Sequence, residues 1–262
     1  MKKKIDLYYY SGTGNTLLIV REMTAVFKEH DYDVGLIRME DAHNITIPKD
    51  TTIGLAFPVA FQSTFPFIWR FFHSLPEGNG TPIFMVDTMM SFSGAIVGPL
   101  KKLLTSKGYA CIGAKEIMMP TNYFPKTIDE DKNDEKVKEG LSSVRRYTEE
   151  LIHGGAKWGR VPLLSDLFYI MCCNDYLMQN VNTAAGKKLE VDREKCRQCG
   201  ICAKLCPTHN IVMGEDDHPR FGDTCEVCMR CLCFCPTEAI SIPGKDFARY
   251  RAVKAKDLLS PK

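Results

Sequence analysis

Eight of the chain's twelve cysteines are gathered in two runs of a single spacing. Cys196, Cys199, Cys202 and Cys206 stand as C-x2-C-x2-C-x3-C ahead of Pro207, and Cys225, Cys228, Cys231 and Cys235 repeat the pattern ahead of Pro236. Three thiolates so close in sequence converge on one centre only where the chain curls tightly around it, so a fourth ligand must come from elsewhere. The proline after each fourth cysteine stops the chain and turns it away. A zinc ribbon would use two C-x2-C pairs and leave four of these eight cysteines without a role. Disulfides fit worse, because clustered C-x2-C spacing in a long chain reads as metal binding. The spacing is that of bacterial-type iron–sulfur ligation, present twice, and two [4Fe–4S] clusters are expected. Cys233 lies off the spacing and reads as a small buried or cluster-adjacent thiol.

A second constellation lies near the start of the chain. Residues 4–10, KIDLYYY, are short, apolar and aromatic, and they run directly into SGTGNT at 11–16. A strand, a turn with Gly12 and Gly14 among Ser11, Thr13, Asn15 and Thr16, and then a helix make an anion site from backbone N–H groups, hydroxyls and a helix N-terminus. The loop carries no Lys or Arg, so its donors are neutral. It lacks the Gly-Lys-Ser/Thr ending of a P-loop and the G-x-G-x-x-G of a dinucleotide fold.

The elements that must position these groups alternate in type. Strand-like stretches at 34–39, 52–57, 82–88 and 110–119 follow the first, separated by helix-like stretches at 64–74, 94–107 and 133–153. Five strands with helices between them predict an α/β doubly wound parallel sheet in the order 2-1-3-4-5, with ligands at the carboxyl ends of the strands. A Gly-rich break at 153–162 and an apolar stretch at 163–178, read as one helix that carries Cys172 and Cys173 as buried thiols, lead to the cysteine runs. Between the runs the pattern reads strand, acidic turn, strand, and TEAISI occupies the matching place in the second half. The expected domains are 1–155, a linker with an interdomain helix at 156–186, a cluster domain at 187–244 and a basic tail at 245–262.

SGTGNT resembles the flavodoxin family, whose S/T-x-T-G-N-T loop binds the FMN phosphate, and the doubled cysteine run resembles the pseudo-symmetric bacterial ferredoxins, a small α+β fold. In this order the two modules are similar to the flavodoxin–ferredoxin fusion proteins (ferrodoxins) of anaerobes. The ferredoxin resemblance implies crossed ligation: Cys196, Cys199, Cys202 and Cys235 for one cluster, Cys225, Cys228, Cys231 and Cys206 for the other. The flavodoxin resemblance implies FMN, with its phosphate on Ser11, Gly12, Thr13, Gly14, Asn15 and Thr16. Its ring would lie between Pro58, Val59, Ala60 and Phe61 on one side and Thr88, Met89, Met90, Ser91 and Gly94 on the other. Asn122 and Tyr123 would meet the ring edge. Phe61, Phe65 and Phe92 are candidates either for stacking or for the core.

Bulk properties narrow the function. The 262 residues carry 34 basic and 32 acidic side chains, a net charge of +2, which argues against nucleic-acid binding. No run of eighteen apolar residues predicts a membrane span. The opening MKKKIDLYYY fails as a secretion signal because Asp6 interrupts it and a Gly-rich turn follows, so a reducing cytoplasm is expected. Within 245–262, six basic residues face Asp246 and Asp257, either as a solvated end or as a docking site for an acidic redox partner. An intramolecular electron-transfer protein, exchanging electrons with ferredoxin or another low-potential carrier, needs no catalytic acid or base. The alternative is an iron–sulfur flavoprotein oxidoreductase that reduces a small quinone- or nitro-type molecule, with Tyr123 as its one plausible proton donor.

Overall fold

The computed structural model describes residues 2–91, 96–159 and 189–259. The chain divides into two compact units. One comprises Met1–Ser11, Asn15–Pro120 and Asp131–Asn174; the other comprises Gly12–Gly14, Thr121–Glu130 and Asp175–Lys262. The expected Cys172–Cys173 helix lies outside the described residues, as do Phe92 and Gly94.

The first unit is built on five parallel strands: β1 (Lys4–Tyr9), β2 (Asp33–Arg38), β3 (Thr51–Pro58), β4 (Pro82–Met89) and β5 (Ala110–Met118). They lie in the order β2-β1-β3-β4-β5, as the alternation of strands and helices predicts. Burial follows position. The inner strands β1, β3 and β4 are buried along nearly their whole length and read as continuous apolar runs, whereas the edge strands β2 and β5 are only partly covered. Gly54 on β3 has no room for a side chain, since a Cβ there would fall 2.4 Å from Leu7 Cδ1 and 2.6 Å from Phe84 Cζ.

Helix α1 (Asn15–Glu29) turns Leu17, Val20, Met23, Thr24 and Phe27 inward at the helical period. Helix α2 (Pro66–Ser74) begins with proline at its first position, where no N–H is needed. Its Phe71 and Phe72 meet Tyr8 and Phe57, with ring centroids 5.4 and 5.1 Å apart. Phe65, a candidate for stacking on the ring, is buried in this core and meets Tyr10 edge to face. Helices α3 (Val97–Ser106) and α4 (Glu130–Ile152) complete the layers. Tyr147 of α4 donates to the Met85 carbonyl at 3.0 Å, and Arg145 pairs with Glu22 and Glu29 of α1.

The second unit holds the cysteine repeat. Strand β6 (Glu190–Val191) pairs antiparallel with β9 (Ile240–Ser241), and β7 (Ile211–Met213) with β8 (Pro219–Phe221). The expected strand, acidic turn and strand between the runs is the β7–β8 hairpin, while the strand after Pro236 reaches back to the segment ahead of Cys196. Short helices α5 (Ile201–Leu205) and α6 (Arg230–Phe234) follow the first cysteines of each run. The repeat is visible in the backbone: left-handed residues recur 29 positions apart as Gln198 and Val227, Gly200 and Met229, and His209 and Glu238. A third short helix, α7 (Ala255–Leu259), ends the described chain.

Candidate functional site

The turns that start α5 and α6 each curl the chain around a cavity. One cavity is lined by Cys196, Cys199, Cys202 and Cys235, the other by Cys225, Cys228, Cys231 and Cys206. Each therefore gathers three cysteines of one run and the fourth of the other. The walls are otherwise mostly apolar: Ile201, Met213 and Ile240 in the first, Leu189, Ile211, Val227 and Leu232 in the second. Among the described residues no three such side chains converge closely enough to share one metal ion. A four-iron cube asks something different, one iron for each thiolate, so its ligands stand around it rather than on one point.

The donor chemistry fits such a group. Burial pushes the Cys202 thiol up to about 11 and the Cys225 thiol up to about 12, and raises Cys231 as well. Thiols so enclosed become anions only against a compensating positive charge, which bound iron supplies. The fourth cysteines receive backbone hydrogen bonds at equivalent places, Asn210 N–H to Cys206 Sγ at 3.2 Å and Ala239 N–H to Cys235 Sγ at 3.3 Å. At Cys235 burial is outweighed by hydrogen bonds from Thr237, Ala239 and Ile240, which hold the thiol below its ordinary range. Cys233 is fully buried, with its thiol pushed up to about 12 by burial, and lines neither cavity.

In the first unit, Ser11 is buried and its hydroxyl accepts the Leu17 N–H at 3.2 Å, capping the start of α1. Thr16 meets Thr88, hydroxyl to hydroxyl, at 2.9 Å, and the Asn15 amide donates to the Pro120 carbonyl at 2.8 Å. Val59 N–H donates to Thr88 O at 2.8 Å, so the loops after β3 and β4 start side by side. Beyond them Ala60 and Ser63 exchange two backbone hydrogen bonds of 2.9 Å around Phe61 and Gln62, both left-handed at φ 51° and 67°. This is the geometry of a two-residue mirror-image turn, which favours Asn-Gly and is strained for Phe-Gln. Met90, Ser91 and Met118 are exposed at the same strand ends, and Met89 O accepts the Met119 N–H. Gly94 lies outside the described residues.

In the second unit Gly14 has φ +115°, and a Cβ there would fall 2.7 Å from Val253 Cγ2. Asn122 donates to the Thr13 hydroxyl at 2.9 Å, and the Ala252 N–H donates to Thr13 O at 2.9 Å. A Cβ on Gly12 would stand 3.1 Å from the Cys228 carbonyl, within the same unit. Tyr123 is 52% exposed, its ring edge to face with Phe124 at 4.5 Å, and partial burial raises its hydroxyl.

Two features were not anticipated in the sequence. Residues 245–259 of the segment read as a solvated or docking tail pack inside the second unit. Arg249 donates to the carbonyls of Leu232, Glu238 and Ile240, and Phe247 meets Phe124 at 4.9 Å. A positive count carries no signal of which cation is used internally. The other feature is Asp87 at the end of β4, fully buried with no hydrogen-bond partner on either oxygen among the described residues. Burial first, and the neighbouring Glu116 second, push its carboxyl well above the usual range.

Comparison with known proteins agrees on the second unit. Residues 189–212 match the family model of the 4Fe-4S binding domain, a match that covers the first cysteine run. No curated protein matches the chain. Solved structures of similar shape include a flavodoxin from the domain Archaea, 14% identical, covering 57% of this chain and 99% of that one at a TM-score of 0.42. A short-chain flavodoxin associated with a non-canonical PDU bacterial microcompartment is 11% identical, covering 60% of this chain and all of that one, with a TM-score of 0.45. A Fusobacterium nucleatum flavodoxin variant bound to flavin mononucleotide is 16% identical, covering 57% and 97% at 0.42. The fold class rests on the strand order itself. A flavodoxin-like sheet and a ferredoxin-type iron–sulfur segment stand in one chain.

Proposed function

We propose that this protein is an intramolecular electron-transfer protein, in which an external low-potential carrier exchanges single electrons with two [4Fe–4S] clusters and, through them, with FMN in a reducing cytoplasm. The observation that carries the reading is the sorting of the eight cysteines into two cavities, each completed by the fourth cysteine of the opposite run. When bound, the clusters supply one-electron chemistry, and the flavin takes one or two electrons. The protein's part is to hold and orient them. Cys199, exposed at the rim of its cavity, gives an outside carrier its approach. Ser11, Thr13, Asn15 and Thr16 supply neutral donors for a phosphate at the start of α1. Around the ring loops Tyr123 is an exposed phenol while Asp87 is enclosed, and electron passage requires no proton donor.

Protein purified without oxygen should carry one FMN and about eight iron and eight sulfide per chain. Mixed rapidly with reduced ferredoxin, it should show cluster bleaching ahead of the flavin change with no organic substrate present. Flavin reduction only on addition of a small molecule would replace this reading with that of a reductase.

A further inference from the structure

The cysteine repeat is offset by 29 residues, so Asn210 of the first half occupies the place of Ala239 in the second. Their backbones do the same work, each donating to the sulfur of its own fourth cysteine. Their side chains do not. Asn210 is 4% exposed and held from several sides. Its Oδ1 accepts the Thr224 N–H at 2.8 Å and the Thr224 hydroxyl at 3.2 Å, while its carbonyl accepts the Gly222 N–H at 2.8 Å. With the oxygen end fixed on Thr224, the amide nitrogen is the free end. Nδ2 is buried and has no hydrogen-bond partner among the described residues. Asn210 lines the cavity of Cys206, Cys225, Cys228 and Cys231, whereas Ala239, on the other cavity, brings no side-chain donor.

A buried amide N–H is costly unless an acceptor meets it. The acceptors that the proposed cofactor would bring into this cavity are sulfurs. We infer that Asn210 Nδ2 donates an N–H···S hydrogen bond to a sulfur of the cluster held there, and that it makes this cluster the more easily reduced of the two. Reduction adds negative charge to the cluster, and a fixed donor stabilises that charge more in the reduced than in the oxidised state; hydrogen bonds to the sulfurs are a recognised lever on cluster potential. One side chain thus breaks the symmetry of the repeat and sets a downhill step from the Cys196 cavity toward the Cys206 cavity. The inference rests on the two-cluster reading above.

Asn210→Ala installs the residue that the second half already uses. Iron analysis and a potentiometric titration followed by electron paramagnetic resonance, both on anaerobic whole protein, test it. The variant is expected to keep its iron while one of the two midpoint potentials falls. At a fixed applied potential the reduced-to-oxidised ratio of that cluster should drop about tenfold, about 59 mV for a one-electron couple, with the other cluster unmoved. Full iron with both potentials unchanged overturns the hydrogen bond and leaves the cluster reading intact. A wild-type chain short of iron for two clusters overturns both. Should the variant lose its iron, wild-type protein carrying 15N in its asparagine carboxamides decides the matter: a nuclear coupling to one reduced cluster is expected, and its absence overturns the inference.

Discussion

Asp87→Val should stabilise the protein, and increasingly so as pH rises. Asp87 sits in register between Phe57 and Glu116 on the neighbouring strands, fully buried and without a hydrogen bond to either oxygen among the described residues. Leaving such a group unmatched costs about 1–3 kcal/mol, and an apolar side chain of similar shape removes that cost. The pH dependence follows from the direction of the shift. The folded carboxyl titrates well above 3.8, the value of the free side chain. Below that value both states hold the proton, and the protonated form's contribution is complete. Above it the unfolded chain ionises while the folded chain does not, so wild-type stability declines by about 1.36 kcal/mol per pH unit until the folded carboxyl also ionises. Valine has no such dependence, and its advantage should widen from pH 5 to pH 8. Urea unfolding of anaerobic protein at three pH values, followed by circular dichroism, measures it. A variant less stable than wild type throughout, or an advantage constant with pH, would refute the argument.

Two other perturbations probe the cofactor sites. Cys206→Ala should damage the cluster bounded by Cys225, Cys228 and Cys231 and leave the Cys196 cavity loaded; spectra that show conversion only of the Cys196 cluster would reverse the crossed assignment. Replacing the strained pair at the turn after β3, Phe61→Asn with Gln62→Gly, should relieve about 1–2 kcal/mol for each left-handed residue. A flavin dissociation constant that rises in the same variant would place Phe61 against the ring, and an unchanged one would remove it from the site.

Short-range chemistry is what the sequence carries on its own. The doubled C-x2-C-x2-C-x3-C-P spacing marks a chain curled around a thiolate-bound centre, because such spacing leaves little other use for the sulfurs. The strand–SGTGNT–helix junction and the alternation after it specify a doubly wound sheet, because β1, β3 and β4 must be apolar on both faces when helices cover both. Long-range partners were beyond that reach. Pairing Cys206 with the second run, 19 or more residues away, came only through the ferredoxin resemblance, because the spacing itself does not state how the two halves pack. Nothing in Arg249 distinguishes it from the other cations of its segment until α6 and β9 present their carbonyls to it. Asn210 differs from Ala239 in plain view, yet only the fold turns its oxygen to Thr224 and leaves its nitrogen buried. The sequence shows Asp87 only as an acid at a strand end, and the closure of layers over β4 decides that it is enclosed. Local patterns state what a residue can do, whereas burial and the direction of a side chain arise only when distant segments meet.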